Sequence, residues 1–440
     1  MSDPAGFATI DFFTDPSLVA DPYPYFDFLR ESGPVQREPR HGVVMVTGYD
    51  EAVSVYRDAT SFSSCNSVTG PFPGFPVPLA GDDVSALIER HRSALPFSDQ
   101  LPTFDPPRHG AHRALLMKLI TPQRLRENEA FMWRLADRQL DEFIARGEGE
   151  FVREFAAPFA LLVIADLLGV PESDRETFRE RLGRPRGLGS TKGDSLEHSP
   201  LAFLEERFAS YVEERRREPR GDVLTQLANA KFPDGSTPAL IDVVRLAANL
   251  FAAGQETTVR MIAAALRFLG ERPELQKWLR EDPERIANFI EETLRIESPV
   301  KGDFRLSRVR TSIGGVAIPA GTTVMVLNGA ANRDPRRFEQ PGELRPERPN
   351  ARDHLAFGLG LHSCPGAPLA RAEGRVSLAR ILERMADLRI SEQEHGPPGA
   401  RRFEYAPTYI LRGLQKLHLE FRPVASRVAT APDARGGRIP

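Results

Sequence analysis

Apolar residues recur at helical spacing from Pro106 through about Ser298, and again from Ala367 to Met385. The clearest run begins at Ser236-Thr237-Pro238, where Thr237 suits an N-cap and Pro238 a first helical position. Its apolar positions continue through Leu266 and Leu269, and Gly270 closes it. Thirty-odd residues at ~1.5 Å each predict a rod of roughly 45–50 Å, long enough to cross a whole domain. Asp21-Pro22-Tyr23-Pro24 opens a shorter helix toward Arg30. Strand patterns are fewer. Val43-Val44-Met45-Val46-Thr47 is one, ended by Gly48, and Phe304 to Val326 holds more, with turns at Gly314-Gly315 and Pro319-Ala320-Gly321. The expected fold class is mainly α with a minor β region (α+β), in a single domain, since neither a repeat nor a linker interrupts it. Gly70 to Gly81 is a Pro- and Gly-rich loop carrying Phe72 and Phe75, which reads either as a binding loop or as one packed on the core.

Composition narrows the function classes. The 440 residues carry 58 basic and 61 acidic side chains, a net charge of −3, which argues against nucleic acid or an anionic membrane as main partner. Only Cys65 and Cys364 are present, so there is no disulfide framework, and a reducing cytoplasmic location is expected. Met1 to Ala20 lacks the pattern of a signal peptide, and no run of about 18 apolar residues spans a bilayer. The expected organisation is an N-terminal segment (1–20), a domain (21–424) and a disordered tail (425–440).

Candidate chemistry concentrates in Phe357-Gly358-Leu359-Gly360-Leu361-His362-Ser363-Cys364-Pro365-Gly366. One cysteine stands in a glycine-punctuated loop directly ahead of a helical run. A single thiolate aimed at one metal fits that setting, because helix N-terminal N–H groups stabilise charge on sulfur. A buried thiol that merely fills core fits Cys364 too. Midway along the long helix lies Ala253-Gly254-Gln255-Glu256-Thr257-Thr258. Gly254 costs about 1 kcal/mol against alanine there, which suggests a distortion or the close approach of a ligand. Asn249, Ala253 and Thr257 share one face, with the Glu256 carboxylate beside an alcohol able to relay protons. A threonine bonding back to an upstream carbonyl explains the same residues. Glu292 and Arg295 stand at i, i+3, as either a surface pair or a partly buried one. His109 and Arg113 at i, i+4 suit a carboxylate, or form an exposed basic face together with His112.

Taken together, these residues resemble the cytochrome P-450 superfamily of soluble bacterial type. Phe357-Gly358-x-Gly360-x-His362-x-Cys364-x-Gly366 followed by Leu369-Ala370-Arg371 matches the family's heme-ligand loop. Ala253-Gly254-x-Glu256-Thr257-Thr258 resembles its oxygen-activating stretch, with Glu where Asp is also common. Glu292-x-x-Arg295 resembles its ion pair, with Arg348 as third member. The likeness runs from about Asp21 to Arg422.

The resemblance implies a heme-thiolate monooxygenase that binds heme b (iron protoporphyrin IX). Cys364 is then the iron ligand, and His109, Arg113, Arg305 and His362 hold the propionates. Phe357, Gly358 and Ala253 line the cofactor, and Glu256 and Thr257 deliver protons. Electrons come from a ferredoxin and an NAD(P)H-dependent ferredoxin reductase, docking near Lys118, Arg124, Arg371 and Arg375. The substrate is a lipophilic small molecule, steroid- or terpenoid-like, held by the Val68 to Leu101 loop, the region from Arg181 to Phe208, Leu246, Asn249, Leu250, Val300 to Asp303 and Thr408 to Ile410. A monomer is expected. A peroxygenase or oxidative coupling enzyme, and a non-catalytic heme sensor or carrier, are the alternatives.

Overall fold

The computed structural model describes residues 4–182 and 199–424. The long helix is present as Leu240–Glu271, 32 residues. It starts later than Thr237-Pro238 implied: Lys231 Nζ bonds to Thr237 Oγ1, and Ala239 occupies the N-cap position with no side-chain bond. Asp242 in the first turn complements the helix dipole instead. The distortion expected at Gly254 is not found, since the α-helix runs through it without a break. A Cβ there would meet only Ile164, at 3.6 Å, so protein packing alone does not demand glycine.

This helix is the centre of the fold. It packs on helices Ala157–Leu167, Ser199–Arg217, Arg285–Glu297 and Ala367–Arg384. Every residue of Ala157–Leu167 except Asp166 is buried, as an all-apolar helix requires. Each Leu or Phe so removed from water contributes about 1.5–3 kcal/mol. That helical core includes Phe159, Phe178, Phe208, Phe251 and Leu266, all fully buried.

The expected strands form a five-stranded sheet. Val44–Val46 pairs antiparallel with Val35–Arg37 and parallel with Thr323–Val326. Thr323–Val326 in turn runs antiparallel to Asp303–Ser307, and Phe62–Ser63 completes the edge. Gly314 and Gly315, at φ +55° and +84°, turn the separate hairpin Thr311–Ile313 to Val316–Ile318. A second sheet was not anticipated: His418–Pro423 lies between Glu148–Glu150 and Met385–Ile390. Met385 therefore starts a strand, and the helix before it ends at Arg384.

The N-terminal segment is packed down. Phe12 and Phe13 are buried with Tyr25, Phe26, Phe304 and Tyr409 in one aromatic cluster. Phe72 of the Pro/Gly-rich loop joins it, edge-on to Phe13 at 5.4 Å. The tail at 425–440 lies outside the described residues. Among the described residues, no helix is long and apolar enough to cross a membrane.

Candidate functional site

Two glycines shape the loop ahead of Cys364. Gly358 and Gly360 sit at φ +62° and +72°. At Gly360 a Cβ would lie 2.4 Å from the Tyr56 carbonyl oxygen, so no side chain fits. One 3-10 turn, Gly360–His362, follows, and Cys364 N donates to Phe357 O at 2.8 Å. This folds the chain back and sets the thiol beside the start of helix Ala367–Arg384. Cys364 is exposed, whereas Cys65 is 1% exposed. Core filling therefore describes Cys65, not Cys364. Burial nonetheless pushes the Cys364 thiol pKa up, opposed by the Gly366 and Ala367 N–H groups, Arg113 and Arg371. The thiol is thus accessible, yet its charged form is disfavoured by its surroundings.

Four donors lie in the neighbourhood of Cys364. His109, on helix Arg108–Met117, is 3% exposed, and its Nε2 is buried without a hydrogen-bond partner. The His362 ring lies 4.0 Å from it, tilted by 39°. Burial, then the neighbouring Arg113 charge, lowers the His109 pKa to about 4. Burial, then Arg305 and His109, lowers that of His362 to about 3. Both rings are thus neutral N–H donors at neutral pH. Arg113 follows one helical turn after His109; burial lowers its basicity and the Cys364 sulfur opposes this. Arg305, 4% exposed in strand Asp303–Ser307, bonds Asp303 Oδ2 at 2.9 Å and Phe304 O at 2.6 Å, with its guanidinium 5.4 Å from the Tyr56 ring centroid. His112 does not share this face: it bonds the Arg108 carbonyl at 3.0 Å and lies 3.5 Å from Asp242.

The central helix contributes an open side. Ala253 is exposed and Gly254, Glu256 and Thr257 are half-buried, in a helix whose following turns are buried. Thr257 Oγ1 donates back to Ala253 O at 3.1 Å, the bond that the plainer reading anticipated. Glu256 is ion-paired with Arg260 one turn on. Burial raises the Glu256 pKa and Arg260 opposes this. Thr258 faces the other way and donates to Glu373 at 3.3 Å, whose buried carboxyl is held well above the usual range.

Glu292 and Arg295 are no surface pair. Both side chains are fully buried, bonded at 2.7 and 2.8 Å. Arg348 Nε reaches both Glu292 oxygens at 3.1 Å, and Arg345 N adds a bond at 2.9 Å. Arg295 and Arg348 spend their other donors on carbonyls of 332, 339–341 and 343, clamping the segment that leads to the cysteine loop.

The remaining expected residues are dispersed. Asn249 Nδ2 bonds Gln100 at 3.4 Å, tying the helix to the Val68 to Leu101 region. Asp303 is taken up by Arg305. Leu246, Leu250, Thr408, Tyr409 and Ile410 are buried. Positions 183–198 of the expected Arg181 to Phe208 lining lie outside the described residues. The four docking cations are already engaged: Lys118 with the Lys231 carbonyl, Arg124 with Glu127, Arg375 with Glu129 and Arg371 with Glu291. Sequence reading missed Arg260 and Glu373, and it took in Lys301 within the Val300 to Asp303 lining without foreseeing its burial. Only Arg260 carried a signal, its i+4 spacing from Glu256.

The family model described as cytochrome P-450 matches residues 197–398. Cytochrome P-450 144 of Mycobacterium tuberculosis is 31% identical over 409 residues, covering 91% of this chain and 89% of that protein. The substrate-free structure of Mycobacterium marinum cytochrome P-450 CYP150A6 superposes with a TM-score of 0.90 at 59% identity, over 95% of this chain and 99% of that one. Bacillus megaterium CYP109E1 in complex with corticosterone gives 0.75 at 27% identity, over 91% and 98%.

Proposed function

The chain belongs to the cytochrome P-450 family of heme monooxygenases, and from that premise we propose that it hydroxylates a lipophilic small molecule, using O2 and two electrons from a separate ferredoxin. One observation carries this reading: the accessible Cys364 thiol has Arg113 as an electrostatic neighbour, and the His109 and His362 rings in contact share Arg113 and Arg305 as theirs. Those residues fit heme b. No cluster of three or more His, Cys, Asp and Glu able to hold a metal occurs among the described residues, so a single thiolate suits an iron whose other ligands arrive with the cofactor. The unpartnered His109 Nε2 is a donor suited to a propionate.

When bound, heme b would supply dioxygen activation, which a thiolate ligand favours by donating electron density to the iron. Cys364 would be that ligand, its charge stabilised by the Gly366 and Ala367 N–H groups. His109, Arg113, Arg305 and His362 would hold the two carboxylates. Phe357, its ring 4.7 Å from the Arg371 guanidinium, would shield the sulfur; Gly358 lets the loop turn, and the small Ala253 would leave room for the cofactor. Thr257 holds a proton at Oγ1, and freeing it from Ala253 O costs about 1 kcal/mol, the net worth of one such bond. Glu256, its pKa raised, holds a proton more readily than an exposed carboxylate, and Arg260 fixes its position. Glu292, Arg295 and Arg348 keep the approach to the loop rigid.

Substrate class follows from the apolar residues beside the open side of the helix, Leu246 and Leu250. The corticosterone complex of the Bacillus megaterium protein supports a molecule of that size. The two cysteines cannot build an iron–sulfur cluster, so a ferredoxin and an NAD(P)H-dependent reductase supply the electrons. Arg124 and Arg375, each paired at the surface, are the cations best placed to exchange partners with it. Turnover under isotopically labelled O2 with ferredoxin and reductase tests the proposal. Label in the product and dependence on reductase are expected; product formed from peroxide alone, without label, overturns it in favour of a peroxygenase.

A further inference from the structure

Lys301 falls within the Val300 to Asp303 stretch expected to line the substrate, but nothing so far gives its charge a role. It is 3% exposed, and among the described residues its ammonium makes one hydrogen bond, from Nζ to Thr408 O at 2.7 Å. No carboxylate lies within ion-pair distance of it among the described residues. A fully buried lysine without a counter-charge is rare, because desolvating an ammonium costs several kcal/mol that a single carbonyl does not offset. Backbone pairing fixes its place. Lys301 N donates to Ile410 O at 2.6 Å, and Val300 bridges Leu411. Two residues on begins the strand that carries Asp303 and Arg305 on one side. Phe304, on the other side, is buried in the aromatic cluster.

The nearest charges make the imbalance worse. Burial, then Arg412, then Arg260, lowers the Lys301 pKa to about 7. Arg412 shares Glu297 with Arg267. Arg260, 4% exposed, has Glu256 as partner, but its Nε is buried without one. Arg412 and Arg260 thus add to the positive charge felt by Lys301, and Lys301 and the Arg260 Nε retain unmet demand for an acceptor. Arg260 stands one turn from Glu256, so this demand borders the reacting end of the open helix side.

We propose that Lys301, backed by Arg260, forms a carboxylate-recognition site at the edge of the substrate pocket, so that the preferred substrate is a lipophilic acid. The proposal rests on the monooxygenase reading and narrows its substrate class. It adds no chemical step: the carboxylate accepts from the ammonium and anchors the apolar body beside Leu246 and Leu250.

The test uses the heme-loaded protein and a panel of linear, terpenoid and steroid carboxylic acids, each beside its own methyl ester. Binding is read as the substrate-induced Soret shift. In the native protein at least one acid should bind about tenfold to a hundredfold more tightly than its ester, the worth of one hydrogen bond to a charged group. Lys301→Met and Lys301→Gln should each erase that preference and leave ester binding within about twofold, while Lys301→Arg should keep part of it. The reduced, CO-bound spectrum of every variant reports heme–thiolate loading first, so failure of the underlying reading shows there and not in the acid–ester ratio. Equal binding of acid and ester, failure of every acid to bind, or a preference that survives in both Lys301→Met and Lys301→Gln overturns the proposal.

Discussion

Glu292→Gln removes the only anion from a fully buried network while keeping its shape. Glu292 accepts bonds from Arg295 at 2.7 and 2.8 Å, from Arg348 at 3.1 Å on both oxygens and from Arg345 N at 2.9 Å. The Arg295 and Arg348 side chains are 0% and 2% exposed, so water cannot replace the lost charge. Deleting one partner of a buried pair costs about 3–5 kcal/mol, against roughly 0–1 kcal/mol for a surface pair. Set beside a total stability on the order of 5–15 kcal/mol, that is a large share. Urea unfolding followed by far-ultraviolet circular dichroism should show the midpoint falling by about a third or more with an unchanged slope. Adding Arg295→Met should recover part of the loss, because it removes one of the stranded cations. A Glu292→Gln midpoint within about 1 kcal/mol of the native one would refute the burial argument.

Further outcomes follow from single residues. Thr257→Ala should leave NAD(P)H consumption in place while product per NAD(P)H falls several-fold; unchanged coupling removes Thr257 from the proton path. Gly360→Ala meets both φ +72° and the Tyr56 carbonyl, so beyond the roughly 1–2 kcal/mol of backbone strain it should lower heme content on purification, measured by heme-to-protein absorbance. Burial raises the Glu291 pKa, but bonds from Arg371 and His354 outweigh this and bring it to about 2, against an ordinary 4.5. The stabilisation from this depressed pKa is therefore complete above about 4.5 and lost as pH falls toward 2, and Glu291→Gln should flatten the acid limb of the melting-temperature profile.

The helical core and the glycine-punctuated turn ahead of Cys364 were legible because their signals are local. Glycines at 358 and 360 mark left-handed backbone, and apolar spacing alone predicted a helix through Leu269. The boundary error at Thr237 came from a competitor, Lys231, that is six residues away in sequence and takes the capping oxygen. The second sheet was missed because its three short strands come from 148–150, 385–390 and 418–423 and owe their stability to one another. At the site, spacing found Glu256, Thr257, His109 and Arg113. Burial is not written in spacing, and so Glu292 and Arg295 read as either surface or interior. Lys301 fell inside the expected Val300 to Asp303 lining, but its burial gave no signal, since a lysine between Val300 and Gly302 looks like any exposed one.

The central claim is that Cys364 supplies the thiolate on which the function depends. The reduced, CO-bound absorption spectrum of the heme-loaded protein, recorded beside that of Cys364→Ser, tests it most directly. The account predicts the band characteristic of thiolate-ligated heme in the native protein and its loss in the serine variant, with heme content still measurable. Persistence of that band in Cys364→Ser, or its absence from the heme-loaded native protein, would contradict it.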